Sequence, residues 1–149
     1  MEAFDQETIR QVWNRVNSNC AQGPDFDQLR ALMCQELTDA ATLLQLSKKV
    51  GGHGGTLLKL AGQCRQHAGY LRGICTMIGQ DQPVPANPPP ATVRTIGALQ
   101  KCYVNSMHRM RAYETLSDDS DYGPVFRKMA AAEQNHCATL LDLIGKAER

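Results

Sequence analysis

Ala131-Ala132-Glu133-Gln134-Asn135-His136, followed by Leu140, has a worn counterpart in Gly62-Gln63-Cys64-Arg65-Gln66-His67, followed by Leu71. Glu133 and His136 stand at i and i+3, so on a helix both side chains lie on one face. His67 keeps its place in the earlier copy, while Cys64 stands where the glutamate would be. The offset between the copies is 69. Leu46-Ser47 is matched by Leu116-Ser117 at an offset of 70. Two matches at nearly the same distance read as an internal repeat of two similar halves.

Each half has the pattern of a helical hairpin. In the first, one helix is expected from about Asp25 to Val50, with Leu29, Leu32, Met33, Glu36, Ala40, Leu43 and Leu46 inward. The cluster Gly51-Gly52-His53-Gly54-Gly55 ends it. The next helix runs from about Thr56 to Ile78 with the stripe Leu57, Leu60, Cys64, His67, Leu71, Ile74 and Ile78. In the second half, a helix is expected from about Ala91 to Leu116, with Leu99, Tyr103, Ser106, Met110 and Tyr113 inward. A polar turn over Ser117 to Gly123 leads to a last helix from about Pro124 to Lys146, proline being tolerated in a first turn. Its stripe is Phe126, Met129, Glu133, His136, Leu140 and Leu143 or Ile144. Gly79 to Pro90 holds five prolines and cannot be helical, so it serves as a long crossover between the hairpins. A short amphipathic helix precedes them, capped by Asp5 and carrying Ile9, Val12, Trp13 and Val16. The expected fold is one all-α domain, a four-helix bundle with an extra N-terminal helix: 1–24 for that helix and its linker, 25–78 and 91–149 for the hairpins, 79–90 for the crossover.

Composition agrees. The 149 residues suit a single core, and 42% hydrophobic with 5% aromatic content leaves leucine, alanine, methionine and valine to fill it. That composition favours helix over sheet. A formal net charge of +1 gives no case for nucleic acid or an anionic membrane surface. No apolar run approaches the length of a membrane span. Met1-Glu2-Ala3-Phe4-Asp5 lacks the apolar core of a signal peptide, so a cytoplasmic location is expected. Six cysteines without a Cys-x-x-Cys pair fit free thiols in a reducing compartment.

The offset of 70 carries Glu36 to Ser106. Six positions are then equivalent in pairs: Glu36 with Ser106, Cys64 with Glu133, His67 with His136. A glutamate from each of two helices, with Glu-x-x-His from each of the other two, is how a four-helix bundle holds two metal ions in its core. This chain keeps Glu36, His67, Glu133 and His136, and has lost carboxylates at Cys64 and Ser106. Buried glutamate and histidine are costly unless paired or metal-bound, and two facing carboxylates repel unless an ion or a proton lies between them. One ion held by Glu36, His67 and Glu133, with Cys64 as a further candidate ligand, fits that donor set; zinc or iron(II) suits it, and one ion is favoured over two. The metal-free alternative pairs Glu36 with a histidine and leaves Cys64 as apolar filler. Glu114 lies too far along its helix to replace Ser106, and His53 and His108 are read as lying off the site. Trp13 is read as an anchor for the first helix, on the bundle or on a second subunit.

With these residues the chain resembles the ferritin-like, rubrerythrin-related proteins of bacteria. Glu36, His67, Tyr113 and Ala132-Glu133-x-x-His136 with Leu140-Leu141 carry the resemblance, and the helix pattern covers about residues 25 to 146. It implies a ferritin-like four-helix bundle with Glu36, His67, Glu133 and His136 as iron ligands, and oxidoreductase chemistry on peroxide or oxygen. Cys64 and Ser106 depart from the family pattern, and no Cys-x-x-Cys pairs mark a rubredoxin-type iron module. The competing expectation is a non-catalytic bundle without metal, kept as a scaffold or homodimer. No electron donor can be named from these residues.

Overall fold

The computed structural model describes residues 25–79, 94–118 and 121–147. Among them are four helices and no strand: α1, Phe26–Ser47; α2, Gly54–Met77; α3, Thr95–Leu116; α4, Gly123–Ala147. The expected N-terminal helix and most of the proline-rich crossover lie outside the described residues. Asp25 caps α1, its side chain accepting a hydrogen bond from the Asp27 amide at 3.1 Å. No described helix is long and apolar enough to cross a membrane.

Two apolar clusters fill the interior. One gathers Leu43 and Leu46 from the end of α1, Leu57 and Leu60 from the start of α2, Leu99 and Cys102 from the start of α3, and Leu140 and Leu143 from the end of α4. The other gathers the opposite ends: Leu29 and Met33, Leu71 and Ile74, Tyr113 and Leu116, Phe126 and Met129. Antiparallel hairpins α1–α2 and α3–α4 follow from these memberships. Between the hairpins α1 packs on α3 and α2 on α4, while the diagonal pairs do not approach. The polar site lies between the clusters, midway along the bundle.

The repeat survives in the turns. A Cβ built on Gly54 would stand 2.7 Å from the Ser47 carbonyl oxygen, and one on Gly123 would stand 2.6 Å from that of Ser117. Ser47 Oγ donates to the Leu44 carbonyl and Ser117 Oγ to the Glu114 carbonyl, both at 2.5 Å. Each hairpin closes by the same backbone contact, which only glycine admits without displacement.

One inner stripe differs from expectation. On α3 the buried residues are Ala98, Leu99, Cys102, Ser106, Arg109, Tyr113 and Leu116, while Tyr103 and Met110 are only half-buried. Both readings satisfy a 3–4 spacing. Apolarity favoured Tyr103 and Met110, but the helix is turned so that an arginine faces the core. What makes that tolerable is the set of charges it meets.

A candidate metal centre crossed by an arginine

Glu36 from α1, His67 from α2 and Glu133 from α4 converge in the core, with one potential ligand atom from each lying within 4.8 Å of the others. Glu36 and Glu133 are fully buried, and His67 is nearly so. His67 Nδ1 stands 2.8 Å from Glu36 Oε2 and 3.3 Å from Glu133 Oε1. Its ring stacks on that of His136 with centroids 5.8 Å apart, so the two repeat-related histidines meet at one interior spot. His136 Nδ1 faces Glu133 Oε2 at 3.4 Å, and its Nε2 is in contact with Gln63 Oε1. Ser106 stands on the same site and donates to Glu133 Oε2.

The sequence reading missed Arg109. Its side chain is 1% exposed and enters between the carboxylates. Nε lies 2.7 Å from Glu36 Oε1 and 3.1 Å from Glu133 Oε1. Nη2 reaches Glu133 Oε2 at 3.4 Å, making a two-point grip on that carboxylate. Nη1 donates to Asp39 Oδ2 at 2.6 Å and to Gln35 Oε1 at 3.1 Å. Asp39 is buried too, and also accepts from Asn105 Nδ2 at 3.0 Å. A signal for this network was present: Asp39 and Arg109 are separated by the repeat offset of 70, as are Gln35 and Asn105. Each amide serves the charged residue of the other half.

Satisfaction is uneven. Both Arg109 Nε and His67 Nδ1 make aligned hydrogen bonds with Glu133 Oε1. They also lie within contact distance of Glu36, yet neither oxygen of Glu36 has a hydrogen-bond partner. The Tyr113 hydroxyl, close to His67, is likewise buried without a partner.

These contacts set the protonation states. Burial pushes the Glu36 carboxyl up to about 7, more than the nearby Arg109 charge can offset. Burial opposes charge on Glu133 as well, but the contacts with His136 and His67 and the Arg109 charge hold it well below the usual carboxylate range. Burial also disfavours imidazolium at His67, yet its contacts with Glu133 and Glu36 lift it to about 9. Cys64 lies beside the group, 1% exposed, with burial pushing its thiol up, so it is neutral near pH 7. The three-residue group includes neither Cys64 nor His136.

The donor set fits one divalent ion. Glu36 presents two buried oxygens that make no aligned hydrogen bond, with Arg109 Nε and His67 Nδ1 standing 2.7 and 2.8 Å from them. Three carboxylates face a single guanidinium, leaving two negative charges for a divalent ion, or for protons on His67 and Glu36, to balance. The His136 side lacks these features: Ser106 and the guanidinium fork already engage Glu133 Oε2.

No family model matches this chain, and no curated protein or solved structure matches it.

Proposed function

We propose that the protein is a ferritin-like bundle of the rubrerythrin-related kind, its two-ion centre reduced to a single divalent ion held by Glu36, His67 and Glu133. Arg109 supplies fixed positive charge in place of the second ion. The observation that carries this reading is the convergence of Glu36, His67 and Glu133 in the core, with ligand atoms within 4.8 Å of one another. The topology supports the family reading. The end of α2 belongs to one apolar cluster and the start of α3 to the other. These are the ends that a long crossover joins in ferritin-like bundles.

Bound iron would supply an electron-transfer centre for peroxide or oxygen; zinc would supply charge alone. The chain's own residues do the rest. Arg109 fixes the orientation of Glu133 and keeps it ionised. His67 gives up its Nδ1 proton when it coordinates, and Glu36 gives up its own, so ion binding releases protons and strengthens as pH rises. The flanking apolar clusters exclude water from both sides.

A second reading has its own support. Arg109 lies against Glu36 and Glu133 and pairs with Asp39, which can sustain a metal-free scaffold. Metal analysis of protein purified without chelator separates the two, with thermal unfolding followed as iron(II) or zinc is added. About one ion per chain, and a rise in Tm that Glu36→Gln abolishes, is the expected result. No bound ion and no Tm response would establish the scaffold. Two ions per chain would refute the substitution of Arg109 for a metal.

A further inference from the structure

The first hairpin carries a groove on its outer side, away from the metal centre. It has a volume of about 560 Å³, a floor of Leu37, Ala41 and Leu44 from α1, and Lys48, Lys49 and Arg65 around it. The floor residues are half-buried and follow a 3–4 spacing. They form a second apolar stripe on α1, apart from the core stripe of Leu29, Leu32, Met33, Ala40, Leu43 and Leu46. Helices with two apolar stripes pack on two sides.

We infer that this groove is the docking site of the chain's own N-terminal segment, residues 5–17, lying antiparallel to α1. Three features select that occupant. The segment has a matching stripe, with Ile9, Trp13 and Val16 at 4–3 spacing. Its acidic end, Asp5 and Glu7 with Glu2 just before it, falls opposite the Lys48 and Lys49 end of the groove when the segment runs back from the start of α1. The geometry of the link allows it. The rise along α1 from Phe26 to Leu37 is about 16 Å, whereas the link over 18–25 can extend to about 26 Å. Trp13 then reaches the level of Leu37 and Ile9 that of Ala41. A tether this short holds the segment at an effective concentration in the millimolar range, which favours it over a free partner with the same chemistry.

Trp13 is the single tryptophan, so its fluorescence reports on the docking directly. In the full-length protein the expected result is blue-shifted emission and weak quenching by acrylamide, both unchanged on dilution. Ala41→Arg should shift the emission to the red and raise quenching several-fold, with the far-UV helix signal retained. Should Ala41→Arg fail to fold, Lys48→Glu with Lys49→Glu, on exposed positions, should loosen the segment, and Glu2→Lys with Asp5→Lys in that background should restore protection. Wild-type Trp13 quenched like a free indole would overturn the inference. So would protection insensitive to these groove substitutions, or protection lost on dilution together with a halving of mass, which would assign the groove to a second copy.

Discussion

The two hairpins present the same three positions to the core, yet the glutamate of one makes no aligned hydrogen bond and that of the other several. Glu36, from the first, lies against two cations without an aligned donor. Glu133, from the second, is met by Arg109, Ser106, His67 and His136. The contrast lies in the geometry of one side chain. The Arg109 guanidinium, one turn beyond Ser106 on α3, holds Glu133 at two points but makes no aligned hydrogen bond with Glu36.

Removing the guanidinium breaks this asymmetry most severely. Arg109→Leu strands Glu36, Asp39 and Glu133 as buried carboxylates without a fixed counter-charge; a loss of about 3–5 kcal/mol is expected. Urea unfolding at neutral pH in the presence of chelator measures it, and a loss below about 1 kcal/mol would deny Arg109 its central role. Neutralising the glutamates one at a time sharpens the comparison. Glu133→Gln should cost about 3 kcal/mol because Arg109 loses the carboxylate that it holds at two points. Glu36→Gln should stay within about 1 kcal/mol, since burial already favours its neutral form. Equal costs would show that the two halves are not differently satisfied.

Proton linkage gives a third test. His67, raised to about 9 from 6.5, contributes stability that is complete below pH 6.5 and lost as pH rises through 9. Glu36, raised to about 7 from 4.5, contributes in its neutral form below pH 4.5 and loses that as pH rises through 7. Both act in one direction, so the chelated protein should weaken between about pH 5 and 9 by at most on the order of 6 kcal/mol. Glu133 acts oppositely, its contribution being lost only on acidification below pH 4.5. A flat profile from pH 5 to 9, followed by urea unfolding, would contradict the charged His67. The smallest effect belongs to Tyr113→Phe. Its hydroxyl is buried without a partner, so removal should change stability by less than about 1 kcal/mol, and not unfavourably. A clear Tm drop would reveal a partner for that hydroxyl.

The helices and the convergence of Glu36, His67 and Glu133 were legible in sequence because both depend on periodicity, which the apolar stripes and the repeat state directly. The observed α1–α4 begin and end within a few residues of expectation over the described residues. Arg109 and Asp39 were not legible. A charged side chain at a stripe position reads as surface, and only three-dimensional compensation by opposite charges from other helices makes it interior. The offset of 70 joined Asp39 to Arg109 all along, but repeat matching looks for likeness, and here the equivalent residues are opposites.

That opposition has a consequence for symmetry. Asp39 and Arg109 touch at 2.6 Å, where α1 and α3 pack together. They stand at equivalent places in the two sequence halves, 70 residues apart. Two identical half-chains pairing about a two-fold axis would bring like residues together at such a place, aspartate on aspartate or arginine on arginine. An attractive pair there needs two different partners, so a symmetric pair of either half could not reproduce this contact.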